Sequence, residues 1–340
     1  MPDCGSQVYL CDVPIRFDTY RGCSHRCEYC FATSKNKDMF KNIKPNEGLI
    51  ALKNFVEGKR NQNTQWCDWN IPLHIGGMSD PLQPVEKKYG ITYECLKYLA
   101  KTQYPFIIST KGILLKDEKY IEILSKCNCV VQISAVCSSY DKIEQGCPTY
   151  EERLSIAKKI SPHVKRVIFR VQPYITEVKD EVLGNIPKIK DAGVYGIILE
   201  GMKFNKKKEG LIKIGGDYVY PLQVIKHDLL EIKQEAHKYG LKFYSGENRT
   251  RNLGDSLCCC GCGNMEGFKP NEFNLNHILN GERPKPTEKM KQIGTAYPFK
   301  GLEQTTSGGH RLAKESFAGE MINYYKNKKD TVLKVLGKKE

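Results

Sequence analysis

Three cysteines, Cys23, Cys27 and Cys30, stand in the spacing C-x3-C-x2-C within Gly22-Cys23-Ser24-His25-Arg26-Cys27-Glu28-Tyr29-Cys30-Phe31-Ala32. Thiolates at this spacing on one loop can hold three irons of a 4Fe-4S cluster, and no fourth cysteine follows at ferredoxin spacing. The fourth iron then stays open, which a catalytic metal site needs and a structural one avoids. A structural zinc loop and three accidental thiols are the alternatives. A second group, Cys258, Cys259, Cys260 and Cys262, places four thiols in five positions. These could ligate an auxiliary iron-sulfur cluster or zinc, donate hydrogen to a radical, or stay inert in a glycine-rich turn. Adjacent cysteines point apart, so a subset using Cys259-x2-Cys262 with distant ligands is easier than all four on one metal. The remaining eight of the fifteen cysteines, Cys4, Cys11, Cys67, Cys95, Cys127, Cys129, Cys137 and Cys147, read as buried or inert thiols.

The elements that must position these groups alternate along the chain. Short β-branched or aromatic runs at Phe17 to Tyr20, Pro72 to Ile75, Phe106 to Ser109, Val130 to Ser134, Arg166 to Val171, Tyr195 to Leu199 and Leu241 to Tyr244 read as strands. Amphipathic stretches near 47 to 59, 87 to 102, 117 to 126, 150 to 160, 181 to 191 and 222 to 238 read as helices. Thr149 followed by Glu152 is a capping box, and Gly193 and Gly240 stand where helices stop. Repeated βα units of this kind predict an α/β fold, a partial parallel (β/α)6 barrel with a small irregular C-terminal extension. The barrel is expected over residues 1-255, with a basic insertion carrying a hairpin at about 201-220. The Cys-rich segment and extension fill 256-340, with a helix from Ala313 to Lys326. Small and polar residues follow the strands: Gly22-Cys23, Gly76 to Asp80, Thr110-Lys111, Ser134, Gln172-Pro173, Glu200 and Ser245 to Asn248. Parallel barrels build their sites at that end. The Cys258 group follows the last strand and is expected near the same mouth. Glu247, Arg249 and Arg251 there are either solvated or face a ligand. His25 is expected to hydrogen-bond backbone, and His310 has no metal-like partner nearby.

C-x3-C-x-aromatic-C after the first strand resembles the signature of radical S-adenosylmethionine enzymes. The resemblance implies that Cys23, Cys27 and Cys30 bind a 4Fe-4S cluster whose open iron chelates S-adenosylmethionine, and that reductive cleavage gives a 5′-deoxyadenosyl radical that abstracts hydrogen from a substrate. It further implies that Tyr29 lies near the adenine and that Gly76-Gly77 binds the methionine amino group. An external electron donor such as flavodoxin or ferredoxin is implied as a partner. His74 to Pro81, Ser109-Thr110-Lys111, Ile133-Ser134, Ile143 to Leu154 and Val171-Gln172-Pro173 resemble successive blocks of the spore photoproduct lyase-like branch. In that branch a lysine and a serine contact the methionine carboxylate, which maps to Lys111 and Ser134. One departure matters: where the lyases carry a hydrogen-donor cysteine, this chain has Gly77-Met78-Ser79-Asp80.

The chain has 340 residues with 53 Lys plus Arg against 39 Asp plus Glu, a formal charge of +14. This suits a nucleic-acid or nucleotide substrate, or simply a lysine-rich surface. Two alternatives remain: a peptide- or protein-modifying radical enzyme with an auxiliary cluster, and a non-catalytic, metal-dependent nucleic-acid-binding module. No apolar run approaches the roughly 20 residues of a membrane helix. The start Met1-Pro2-Asp3-Cys4-Gly5-Ser6 lacks export signals, so a cytoplasmic location with reduced cysteines is expected.

Overall fold

The protein is described from a computed structural model, over residues 1-293 apart from 5-7, 9, 35, 215-216, 281 and 283-285. His310 and the helix expected from Ala313 lie outside these residues. Seven strands form one sheet: β1 (Ile15–Phe17), β2 (Leu73–Ile75), β3 (Phe106–Thr110), β4 (Cys129–Ser134), β5 (Arg166–Tyr174), β6 (Gly196–Gly201) and β7 (Lys242–Ser245). They lie in chain order and every neighbouring pair is parallel. Parallel strands need crossovers, and six helices supply them: α1 (Leu49–Val56), α2 (Ile91–Thr102), α3 (Glu118–Ser125), α4 (Tyr150–Ile160), α5 (Lys179–Asp191) and α6 (Leu222–Lys238). Edge strands β1 and β7 do not pair with each other, so the barrel is open. The insertion's strands, Ile212–Ile214 and Asp217–Val219, pair antiparallel.

Side-chain alternation divides the interior from the helical shell. Ile108, Val131, Phe169, Leu199 and Phe243 join the core that includes Leu96, Leu124, Ile186 and Leu229 of the helices. Their neighbours Ile107, Val130, Ile168, Ile198 and Tyr244 form a separate interior cluster with Cys11, Val13, Met265, Phe268 and the four cysteines of the second group. Nearer the carboxyl ends runs a polar row across five strands. His74 Nε2 lies 2.7 Å from Ser109 Oγ, which donates to Gln132 Oε1 at 2.9 Å. Arg170 donates to the same oxygen at 3.3 Å and pairs with Glu200 at 3.5 Å.

The first strand ends earlier than its sequence suggests, at Phe17 rather than Tyr20. Asp18 turns out of the sheet to accept the N–H groups of Met78 and Ser79, at 2.9 and 3.3 Å. Tyr20–Arg21 instead pairs antiparallel with Lys44–Pro45, closing the base of the three-cysteine loop.

A larger correction concerns the second cysteine group, which lies at the opposite end from the expected mouth. Arg166, the first residue of β5, donates to Gly261 O at 2.7 Å. Lys269 N–H reaches Asn70 O, just before β2, at 3.1 Å. From Asp255, whose N–H bonds Phe243 O in β7, the segment crosses to the chain before β1. There Asn271, Asn274 and Asn276 donate to Val8, Asp12 and Leu10, and His277 pairs with Asp12 at 3.1 Å. The reason is packing: four buried thiols and the apolar Met265 and Phe268 fit the interior cluster, while Asn271 and Asn276 satisfy carbonyls of the chain before β1 and Asn274 bonds the Asp12 carboxylate.

The capping box on α4 is formed in both directions between Thr149 and Glu152. Gly193 and Gly240 take φ of +73° and +68° just beyond their helices, where other residues are strained. Thr149→Ala should lower stability by about 1 kcal/mol, seen as a lower urea midpoint at unchanged slope. Thr149→Asn should recover most of it, and an unchanged midpoint in the alanine variant would show that the box contributes nothing.

Candidate metal and cofactor site

The three-cysteine loop leaves the carboxyl end of β1. Gly22, at φ +93°, admits no side chain without crowding Asn42 O at 3.0 Å, and Cys23 N–H bonds Met39 O at 2.8 Å. Cys23 and Cys27 are buried and Cys30 is half-buried, with Cys23 packed among Ala32, Met39, Phe40 and Met78. Burial pushes the Cys23 thiol up to about 12, reinforced by the charge of Asp80. Cys27 moves the other way, to about 6, because the Cys147 thiol hydrogen-bonds to it and Lys111 places a positive charge nearby, outweighing burial.

His25 does more than bond backbone. Its Nδ1 lies 2.8 Å from Gly146 O and its Nε2 pairs with Asp80 at 3.0 Å. Gly146 N–H returns a bond to His25 O at 3.0 Å, and a Cβ on Gly146 would stand 2.4 Å from Ser24 O, so only glycine fits. Asp80 also accepts from Thr110 Oγ1 at 2.8 Å, Lys111 N–H at 2.6 Å and Leu82 N–H at 2.8 Å. Burial alone would raise its pKa, but His25 and these donors hold it below the usual carboxylate range.

Gly76, at φ +85°, would bring a Cβ to 2.4 Å from Ser109 O, and a Cβ on Gly77 would meet the Arg16 side chain at 3.0 Å. Both glycines therefore let backbone approach where side chains cannot. Tyr29 and Lys111 are brought together: Lys111 Nζ donates to Tyr29 Oη at 2.9 Å and to Glu144 Oε1 at 2.8 Å. Tyr29 hydroxyl and Arg153 also bond Glu144, which is almost wholly buried. Arg153 donates as well to the backbone carbonyl of Ser134, at 3.0 Å, tying the end of β4 into the network.

Asp80, Glu144, Arg153 and Cys147 are the contributors that sequence reasoning missed. Cys147 was expected to be inert, yet its sulfur lies 3.8 Å from Cys27 Sγ. The Glu144-x8-Arg153 pairing was a usable signal, since α4 begins between them and turns its arginine back. Arg249 is occupied by Glu247 and by Tyr220 O at 3.0 Å. Arg251 is buried and donates to Gly246 O and Asn248 Oδ1, at 3.2 and 2.8 Å.

No family model matches the sequence. An uncharacterised protein of Mycobacterium tuberculosis is 24% identical over 216 residues, 58% of this chain and 62% of that protein. One from Methanocaldococcus jannaschii is 23% identical over 163 residues, 47% and 60% of the two chains. The matches thus span about three-fifths of these relatives' own length. Among solved structures, spore photoproduct lyase complexed with dinucleoside spore photoproduct superposes with a TM-score of 0.55 at 14% identity, over 72% of this chain and 79% of that one. A variant of that lyase with bound AdoMet gives 0.54 at 14% identity, over 68% and 76%. The architecture is therefore the partial barrel of the radical S-adenosylmethionine type. In particular, the chain has the fold of spore photoproduct lyase.

Glu144→Gln would leave Lys111 and Arg153 as buried cations without their anion, a loss of about 3–5 kcal/mol at neutral pH. Burial raises the Glu144 pKa, but the two cations outweigh it and hold it below the usual range. Its stabilisation is therefore present above the unfolded pKa of about 4.3 and lost as pH falls through the lower folded value. Urea midpoints of wild type and Glu144→Gln should converge on acidification; a gap independent of pH would rule out the ionised form.

Proposed function

We propose that this protein is a radical S-adenosylmethionine enzyme, with Cys23, Cys27 and Cys30 holding a 4Fe-4S cluster. The observation that carries the reading is the loop itself: three thiols fixed at the carboxyl ends of the strands by the Asp80–His25 pair, beside backbone kept bare at Gly76 and Gly77. The donor set fits the cluster, and the neighbouring groups fit a zwitterionic amino acid. When bound, the cluster and S-adenosylmethionine supply reductive cleavage of the sulfonium and hydrogen abstraction from substrate. The residues of the chain bind and orient. Lys111 uses two of its three N–H donors on Tyr29 and Glu144, leaving one for the methionine carboxylate, with Ser134 beside it at the strand end. Gly76–Gly77 backbone would take the amino group, and Tyr29 would lie toward the adenine. An external flavodoxin- or ferredoxin-type protein supplies the electron.

For the substrate we infer a nucleic acid or nucleotide. Support comes from the +14 charge and from the shared fold with an enzyme solved in complex with a dinucleoside photoproduct. Gly77 in place of the donor cysteine argues against the lyase's own hydrogen relay. Cys147, whose sulfur lies 3.8 Å from Cys27 Sγ, would be a thiol near the loop to return hydrogen in its place. We keep a division of the chain near residue 255, with residues 256 to 277 packed at the barrel base. Among the described residues no helix is long and apolar enough to cross a membrane.

Cys27→Ala should abolish the cluster's visible absorption and all 5′-deoxyadenosine formation after anaerobic reconstitution; turnover that survives would refute the assignment. If the substrate is a polyanion, affinity for a DNA or RNA oligonucleotide should fall linearly with salt on a log–log plot. Salt-independent or absent binding would move a peptide substrate forward.

A further inference from the structure

The polar row inside the barrel begins one strand earlier than its hydrogen bonds do. Arg16 stands in register with His74, and Ile15 and Phe17 on either side of it belong to the core beneath the helices, so Arg16 faces the interior. The row then reads Arg16, His74, Ser109, Gln132, Arg170 and Glu200 on six successive strands. Two residues earlier on the last four of these strands, Ile107, Val130, Ile168 and Ile198 are apolar. A barrel filled for packing alone would continue that apolar layer, because every buried polar group must find a partner.

The hydrogen bonds of the row fix its polarity. Cys260 O is a carbonyl and only accepts, so Gln132 turns Nε2 to it at 3.0 Å and presents Oε1 to Ser109 and Arg170. Ser109 gives its one hydroxyl hydrogen to that oxygen at 2.9 Å, and therefore accepts from His74 Nε2 at 2.7 Å. His74, only 5% exposed, is left with Nδ1 buried and without a hydrogen-bond partner. Arg16 is also unengaged: among the described residues its guanidinium makes no hydrogen bond and no ion pair. Asp18 feels its charge from beyond ion-pair distance and turns Oδ1 to the N–H groups of Met78 and Ser79. A Cβ on Gly77 would stand 3.0 Å from Arg16 Cδ and 3.5 Å from Nη1, so the half-buried guanidinium lies beside the paired glycines. Arg170 has free donors as well, since Gln132, Gln172 and Glu200 take three of its five N–H groups.

Unengaged guanidinium donors suit an oxyanion, whose oxygens match the planar fork. Beyond the carboxyl end of β6 come the exposed Lys206, Lys207 and Lys208, so positive charge continues past Glu200, as a run of phosphates needs and a single carboxylate does not. We propose that Arg16 is a substrate-binding residue that takes a phosphate of a nucleotide or nucleic-acid strand inside the barrel, with His74 and Arg170 on the same floor. That the ligand is the substrate rests on the function proposed above; the anion site rests on the row itself.

The test uses the full chain, reconstituted anaerobically, and a panel of dinucleoside monophosphates, each beside its uncharged methylphosphonate. In equilibrium dialysis the phosphates should bind about tenfold or more tightly than the methylphosphonates. Arg16→Gln should erase most of that ratio by weakening the phosphates alone, and Arg16→Lys, which keeps the charge without the fork, should fall between. Lys242→Gln, which removes an exposed charge at the amino end of β7, should leave the ratio in place. If Arg16→Gln does not fold, the wild-type ratio and its reduction in Arg16→Lys still decide. A ratio near one in the wild type would overturn the proposal. So would a ratio that both Arg16 variants leave intact, or a loss seen only with acidic peptides. An equal loss of affinity for S-adenosylmethionine in Arg16→Gln would hand the residue to the methionine carboxylate and overturn it too. Phosphate-dependent binding in a chain that forms no 5′-deoxyadenosine would refute the radical reading and leave the anion site standing. Formation of 5′-deoxyadenosine without phosphate-dependent binding would do the reverse.

Discussion

Asp80 is a carboxylate with almost no water, and the site is built around satisfying it. An isolated buried carboxylate costs several kcal/mol, so its donors are obligatory. They come from the three loops that follow the first three strands: His25, Leu82, and Thr110 with Lys111 N–H. Only one mutual arrangement of these loops supplies all of them. His25 passes the constraint on to the loop after β4 through Gly146, where nothing larger than hydrogen fits against Ser24 O. Asp18 repeats the device for the turn after Gly77. The cysteine loop is thus positioned by bonds of the polypeptide alone, and a metal meets sulfurs whose backbone is already fixed.

The two ends of the barrel differ in how they treat charge. At the carboxyl end, ionised groups are interleaved with one another across strand-end loops. At the amino end the interior is mostly apolar side chains and thiols, with Asp12 and His277 paired beside them, and residues 256 to 277 fill it and bond the chain before β1 through asparagine side chains. Between them, the row from His74 to Glu200 is continuous with the base, because Gln132 also donates to Cys260 O at 3.0 Å. A change in the base therefore has a hydrogen-bonded route to the barrel interior beneath the cysteine loop.

Much of this was legible in the sequence because local rules and the fold agree. The seven strands and six helices follow periodicity, and Thr149 and Glu152 marked a helix start that the structure forms. The C-x3-C-x2-C loop was readable because its chemistry lies within eight residues. What escaped were contacts whose partners are distant. Cys11 and Cys147 carry no local mark that separates them from Cys95 or Cys129; only the fold brings them beside other sulfurs. Following the last strand suggested the mouth for Cys258 to Cys262. A segment that follows a strand can also return along its outside, and the apolar interior at the base drew it there. β1 failed at its end for a related reason: Asp18 is needed by Met78 and Ser79, so the strand stops where that demand begins.

The network around Glu144 carries an argument of its own. Lys111 and Arg153 bring two positive charges and Glu144 one negative charge, all largely buried, so the cluster is one anion short. A structural ion pair gains nothing from such an imbalance, and an apolar replacement would be at least as stable. A binding site gains from it, because the excess charge is neutralised only when an anion arrives. The candidates are the thiolate of Cys27, which acts on Lys111 across the gap, and a carboxylate presented by a ligand. Glu144 then has a definite role: it keeps the lysine ionised and aimed without fully discharging it. Had Glu144 been paired with Lys111 alone, the cation would be quenched. Arg153 shares the carboxylate and prevents that.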